Sequence, residues 1–124
     1  MKPEMKEHLA RAEEFLEAAE WLISGKYHDV ALGRAYYAMF HAATAALETR
    51  GIRRGSHHGI ISAFGEQFVK TGIVPREMQK HFQNAFDARL DSDYMSSPGI
   101  TAVEARAAVE RARRFVEFCK QICQ

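Results

Sequence analysis

The chain has 124 residues, of which 47% are hydrophobic and 27% are charged, with 17 basic and 16 acidic side chains. This length and composition predict one small globular domain over residues 1–124 and exclude a disordered chain, while the near-zero net charge excludes a broadly basic nucleic-acid coat protein. The longest uncharged run, residues 35–47, is too short to span a membrane, and no apolar signal segment begins the chain, so we expect a cytoplasmic protein that does not enter a membrane.

The first two predicted helices lie in the N-terminal half of the chain. Apolar residues that recur every three or four positions predict a first helix over Pro3–Ser24, with Gly25 as its end. A second helix is expected to begin after Asp29, which would serve as its N-cap, and to end near Arg50, before Gly51. Each helix therefore buries one side against the rest of the chain.

Two further helices are predicted in the middle of the sequence. The third begins after Ser56 and ends near residues 70–72, and the fourth begins at Pro75 and ends near Asp91 or Asp93. A loop is expected at residues 96–99, where two serines precede proline and glycine.

The last helix opens with Thr101 and Glu104, the spacing of a capping box. No segment alternates polar and apolar residues as a strand would. Because short loops join amphipathic helices, consecutive helices should run antiparallel. The sequence therefore predicts an all-α fold, a compact up-and-down bundle of four to five antiparallel helices.

A polar stripe interrupts the second helix. Its members, three or four residues apart, are Arg34, Tyr37, His41, Thr44 and Glu48. A helix that also carries an apolar stripe must then be lined on two sides, as in a central helix or a subunit interface. Two interpretations follow: a half-buried polar face with Arg34 paired to a carboxylate, or a surface that binds a ligand or partner.

The end of the fourth helix carries charge where apolar residues are expected. Seven residues after Phe82 and Phe86 come Arg89 and Asp93, which lie one turn apart, and Tyr94 follows. A charge at such a position is either neutralised by a partner or kept for chemistry. We therefore weigh an Arg89–Asp93 pair that ends the helix against a site in which the Arg89 guanidinium binds phosphate and Tyr94 supplies a hydroxyl.

Other candidate sites are weaker. Asp91 with Asp93 forms a poor metal-ligand set, and no phosphate-binding loop occurs, so we expect neither a metal nor a cofactor.

Cys119 and Cys123, four residues apart, are poorly placed for a disulfide and are expected to be buried thiols. A basic segment following the second helix complements its dipole or contacts an anion; it consists of Arg50, Arg53, Arg54, His57 and His58.

The sequence resembles the HEPN family from about residue 4 to about residue 120. The resemblance lies in Tyr27–Ala31, in the AYYAMFHAA segment at residues 35–43, in residues 57–72 and in Arg89 followed by Asp93 and Tyr94. It implies a helical bundle that is commonly a homodimer and often paired with a small nucleotidyltransferase in toxin–antitoxin-like modules. It further implies, for a large subset, metal-independent ribonuclease activity from an Arg and a His that are separated by four to six residues and assembled across the dimer cleft.

This chain departs from that motif because Tyr94, Met95 and Ser96 stand where the His is expected. A tyrosine hydroxyl has a pKa near 10 and is a poor base. Three hypotheses follow. The chain binds a nucleotide or a nucleotidyltransferase partner through the dimer cleft, which Arg89, Asp93 and Tyr94 line; it is a ribonuclease that acts on RNA with Arg89 and His41; or it is a non-catalytic dimeric interaction module. The residues assigned to binding are Arg34, Tyr37, Asp91 and Asp93, and those assigned to catalysis are Arg89, Tyr94 and His41.

Overall fold

The computed structural model describes residues 1–94 and 99–124, and in these residues it contains helices only. The five α-helices are α1 (Pro3–Ser24), α2 (His28–Glu48), α3 (His57–Phe64), α4 (Arg76–Tyr94) and α5 (Ala102–Cys123), and a π-helical turn over Gly65–Val69 extends α3. The all-α prediction is confirmed. Residues 96–98 of the predicted loop lie outside the described residues.

Most predicted helix ends are confirmed, and their caps explain why. The Ser56 hydroxyl accepts the Gly59 backbone N–H at 2.9 Å at the start of α3. At the start of α5, the Thr101 hydroxyl accepts the Glu104 N–H, and the Glu104 carboxylate accepts the Thr101 N–H in return. Local side-chain chemistry therefore sets these two boundaries.

The predicted start of α2 is wrong. The helix begins at His28, before Asp29, and no side chain caps it. The reason lies in the preceding turn, where Lys26 has a left-handed φ of 67° and the Tyr27 N–H donates to the Leu22 carbonyl at 2.7 Å. This tight turn returns the chain to a helical path before Asp29 is reached, so Asp29 lies within the first turn.

Helix α2 is the centre of the bundle and packs against each of the other α-helices. Its buried face is rich in small residues, which allow neighbouring helices to approach closely; these are Ala31, Gly33, Ala35, Ala38, Ala42, Ala43, Ala45 and Ala46. Large aromatic side chains fill the remaining core, with Tyr36, Phe64, Phe82 and Phe115 fully buried. Placing α2 centrally brings its polar stripe against α1 on one side and α4 on the other.

Candidate functional site

The polar stripe of α2 is half buried, with Arg34, Tyr37, His41 and Thr44 partly exposed and Glu48 buried. Glu48 accepts a hydrogen bond from Arg53 Nε at 2.6 Å. This bond is the main reason that the pKa of the Glu48 carboxyl lies below its usual value. The buried end of the stripe is therefore neutralised within the chain.

Arg89 lies against the other half of this stripe. Its Nη1 donates to the Tyr37 hydroxyl at 2.9 Å and lies 3.5 Å from a carboxylate oxygen of Asp93. The guanidinium carbon lies 5.5–5.6 Å from the ring centroids of Tyr36, Tyr37 and Phe86, within range of cation–π attraction. These contacts hold the cation in one place among aromatic rings.

The Arg89 side chain is only 14% exposed, yet its hydrogen-bonding capacity is not filled by the described residues. Its Nε is buried and has no hydrogen-bond partner among them. The 3.5 Å separation from Asp93 also exceeds the 2.7–2.9 Å of a charge-assisted hydrogen bond. An unfilled buried donor is costly, and the described residues supply no compensating acceptor for this Nε.

His57 completes the cluster. Its Nδ1 lies 2.6 Å from the Tyr36 hydroxyl, and its ring stacks near Phe86 with the centroids 5.7 Å apart. The Arg89 cluster, as we call it below, comprises Arg89, Tyr36, Tyr37, His57 and Asp93. Helices α2 and α4 and the first turn of α3 meet there only in the folded chain.

Burial sets the protonation of this cluster. It raises the pKa of the Tyr36 hydroxyl well above its usual value, with Arg89 opposing the shift, so the phenol remains protonated. Burial also lowers the pKa of the His57 imidazole, and the charges of Arg89 and His58 lower it further. A neutral imidazole therefore stands beside a fixed guanidinium at neutral pH.

The sequence indicated His57 only as part of the weaker basic segment, and it did not indicate Tyr36 as a site residue. Tyr36 belongs to the buried face of α2. One signal was available: a tyrosine in an apolar stripe needs a hydrogen-bond partner for its hydroxyl. The identity of that partner depends on tertiary packing.

His41 lies in a different environment, against α1. Its Nδ1 is 2.9 Å from Nδ1 of His8, and its ring stacks on Phe15 with the centroids 5.5 Å apart. Burial, followed by the charges of His8 and Arg11, lowers the pKa of His41 to about 4. His41 thus contacts His8 and Phe15 of α1. Arg89 instead contacts Tyr37, which lies one turn before His41 on α2.

The remaining candidates are spread around the cluster. Tyr94 is 84% exposed and Asp91 is also exposed, while Met95 and Ser96 lie outside the described residues. Within residues 1–94 and 99–124 Arg34 forms no ion pair, so the predicted carboxylate partner is not found there; its guanidinium lies 5.9 Å from the Phe15 ring. The Ser92 hydroxyl donates to the Asp29 carbonyl at 2.7 Å and ties the end of α4 to the start of α2.

Both cysteines are free and buried, as predicted, and burial raises the pKa of each thiol. In the part of the chain that the structure describes, no three His, Cys, Asp or Glu side chains are grouped so that they could hold a metal ion. None of the described helices has the length and apolar character needed to cross a membrane.

Comparisons with known proteins show which family the chain is similar to. The HEPN domain model matches residues 5–122. The chain is 30% identical over 120 residues to "Putative toxin MJ0142" of Methanocaldococcus jannaschii, covering 97% of this chain and 82% of that protein. It is 34% identical over 110 residues to "Putative toxin MJ0605" of the same organism, covering 89% and 81%.

Two further comparisons extend over the full fold. The UPF0332 protein glr0978 of Gloeobacter violaceus is 31% identical over 122 residues, covering 98% of this chain and 97% of that protein. The crystal structure of ST0689, an archaeal HEPN homologue, superimposes with a TM-score of 0.70 at 19% identity and covers 100% of both chains. The latter similarity concerns the fold alone.

Proposed function

The chain belongs to the HEPN domain family, and we propose that it acts as the toxin-like component of a toxin–antitoxin-like module and binds a nucleotide or RNA phosphate at the Arg89 cluster. Two archaeal relatives that carry the word toxin in their names support the first part. The observation that supports the second is the Arg89 guanidinium, 14% exposed and with its Nε unpartnered among the described residues.

The chemistry of the cluster suits a phosphate. A guanidinium presents several N–H donors in a plane that matches two phosphate oxygens, and Asp93, at 3.5 Å, is an anion that a phosphate would displace. Tyr37, which is half buried, offers a ring face for a base next to that phosphate. A nucleotide thus supplies both groups that the cluster accommodates.

Binding of a short single-stranded RNA, followed by fluorescence anisotropy, tests this function. We expect Arg89→Ala to weaken binding about 10- to 100-fold, the loss of one charge-assisted contact. Arg106→Ala is the matched control, because Arg106 is exposed on α5 and forms no ion pair among the described residues. Equal affinity of wild type and Arg89→Ala, with growth inhibition in an expression host also unchanged, would contradict the proposal.

The proposal includes two protein partners, a second copy of the chain and a nucleotidyltransferase. The second copy would cover the half-buried polar stripe at Tyr37 and His41, with the Arg89 cluster at the cleft. A nucleotidyltransferase needs an accessible hydroxyl, and Tyr94, at 84% exposure, supplies one. Analytical ultracentrifugation tests the homodimer.

Co-expression with the product of a neighbouring nucleotidyltransferase gene, followed by mass spectrometry, tests the second partner. We expect a nucleotidyl group on Tyr94 and none on Tyr27, which is 61% exposed and serves as the matched control. The absence of both a complex and a modification would count against this partner.

The non-catalytic interaction module predicts the opposite behaviour of the charged pair. If Arg89 and Asp93 only fix the register of a dimer, replacing both with Leu should leave cellular activity intact. The ribonuclease hypothesis with His41 predicts instead that His41→Ala stops RNA cleavage.

A further inference from the structure

A groove of about 740 Å³ lies between α4 and α5, with residues of α2 at its base. Small side chains face it from both walls, Ala85 and Ala88 on α4 and Ala107 and Ala108 on α5, and all four are half buried. Because methyl groups cannot fill the space between two helices, the walls stay apart. We call this space the α4–α5 groove; it shares no lining residue with the Arg89 cluster.

The α4–α5 groove has two chemically different ends. The Glu77 carboxylate, on the first turn of α4, lies 3.1 Å from the Arg114 guanidinium in the second half of α5, so the start of one wall faces the far part of the other. Charged and polar side chains line this end, whereas Ile100 and Val103 line the opposite end beside Ala88. Val103 is 74% exposed, although it is a large apolar residue.

The charge at the polar end is positive. Two carboxylates line the groove, and both are committed elsewhere: Glu77 pairs with Arg114, and Glu104 caps the start of α5. The two cations of the lining are Lys80 and Arg111, and neither forms an ion pair within residues 1–94 and 99–124. The polar end therefore complements an anion.

His81 adds a hydrogen-bond donor at the same end. Its Nδ1 is buried and has no partner among the described residues. A buried N–H without a partner is rarer than a buried acceptor without one, so the proton of the neutral ring belongs on Nε2. Burial lowers the pKa of the His81 imidazole, and the charge of Arg111 lowers it further, which keeps the ring neutral at neutral pH.

The dimensions of the α4–α5 groove suit a small molecule. Its volume falls within the range of about 300–1,000 Å³ that small-molecule sites occupy. Eight residues separate Lys80 from Ala88 along α4, which corresponds to about 12 Å at 1.5 Å per residue. Buried Leu32 and Met39 of α2 lie at the base. A ligand with an apolar body of about this length and one anionic end matches both parts of the groove.

We propose that the α4–α5 groove binds a small amphipathic carboxylate. Its carboxylate accepts hydrogen bonds from Lys80, Arg111 and His81 Nε2, and its apolar body extends over the base toward Ile100 and Val103. This site is separate from the proposed function, since it requires neither RNA nor a nucleotide and uses no residue of the Arg89 cluster.

Isothermal titration calorimetry of the full chain with octanoate, below the concentration at which octanoate forms micelles, tests this site. We expect saturable one-to-one binding that is at least about 10-fold tighter than that of octan-1-ol, which lacks the charge, and no binding of acetate, which lacks the apolar body. Arg111→Gln should weaken octanoate binding about 10-fold. Arg106→Gln is the matched control, because Arg106 is exposed on the same helix and does not line the groove.

A second variant tests the apolar part without changing the charge. Ala108→Leu places a larger side chain between the two walls, so we expect octanoate binding to be lost. Ala10→Leu, at an exposed position of α1, is its control and should bind octanoate as wild type does. Urea unfolding checks that each variant is folded.

Three results would overturn the proposal. They are the absence of saturable octanoate binding, equal affinities for octanoate and octan-1-ol, and octanoate affinities that neither Arg111→Gln nor Ala108→Leu changes. If octanoate does not bind and Ala108→Leu abolishes self-association in analytical ultracentrifugation, the groove belongs to a second copy of the chain instead.

Discussion

The two ends of the α2 polar stripe hold histidines in different chemical settings. At one end, Nδ1 of His41 lies 2.9 Å from Nδ1 of His8, within hydrogen-bond distance. At the other end, His57 is bound to a buried phenol and stands beside Arg89. The first pair satisfies itself, whereas the second leaves an accessible nitrogen and a cation with an unfilled donor.

This difference shows that residue type alone does not identify a functional histidine. Both His41 and His57 are half buried, and burial is the main cause of the lowered pKa in each. Arg11, beside His41, is exposed and paired with Glu14 at 3.2 Å, whereas Arg89, beside His57, is 14% exposed and has an Nε without a partner among the described residues. The groups around each imidazole, more than its own pKa, distinguish the two settings.

The largest loss of stability is expected from removing the aromatic ring on which each histidine stacks, Phe86 for His57 and Phe15 for His41. Phe86 is buried beneath Arg89 and His57, so Phe86→Ala should lower the free energy of unfolding by about 3–5 kcal/mol. Phe15 is half buried beside His41, and Phe15→Ala should cost about 1–2 kcal/mol. Urea unfolding of both variants measures the difference, and equal losses would show that the two ends are packed alike.

The helices of this chain could be predicted because their signals are local. The Thr101–Glu104 capping box, the Ser56 cap and the apolar spacing of α1 are all readable within a few residues. The start of α2 was misplaced because the left-handed Lys26 leaves no composition signal.

The sequence could predict only part of the candidate site, and the reason is physical. Arg89 was found because a charge broke an apolar stripe, which is a property of a single helix. His57 was noted only as a member of the basic segment, since its place in the cluster depends on a hydrogen bond to Tyr36, 21 residues away, and on an arginine brought in by α4. A convergence of three helices leaves no mark at any one position of the sequence.

A pH titration sharpens the contrast at the His41 end. The pKa of His41 falls from an ordinary value of 6.5 to about 4 in the folded chain, so the unfolded chain binds more protons between these values. Stability from the neutral His41 is present above pH 6.5 and is lost as pH falls from 6.5 toward 4. Because His41 is partly solvated, we expect a loss of about 1–2 kcal/mol across this window.

His41→Asn is the control for that titration, because its amide can still bond to His8 and cannot be protonated. Urea unfolding at several pH values should show a smaller acid-induced loss of unfolding free energy in this variant than in wild type. The loss that remains includes the contribution of His57. Identical pH profiles for the two proteins would show that His41 is not held neutral by the fold.

The smallest change in stability is expected from the hydrogen bond that joins the end of α4, near Arg89, to α2. The Ser92 hydroxyl donates to the Asp29 carbonyl at 2.7 Å, joining the last turn of α4, one turn beyond Arg89, to the first turn of α2. Ser92→Ala should lower the free energy of unfolding by about 0.5–1.5 kcal/mol. Ser24→Ala removes an exposed hydroxyl whose hydrogen bond among the described residues lies within α1, to the Glu20 carbonyl at 3.2 Å, and should change stability less. RNA affinity should fall for Ser92→Ala alone, because Arg89 is positioned through the end of α4; an unchanged affinity would mean that the aromatic rings suffice to hold the guanidinium.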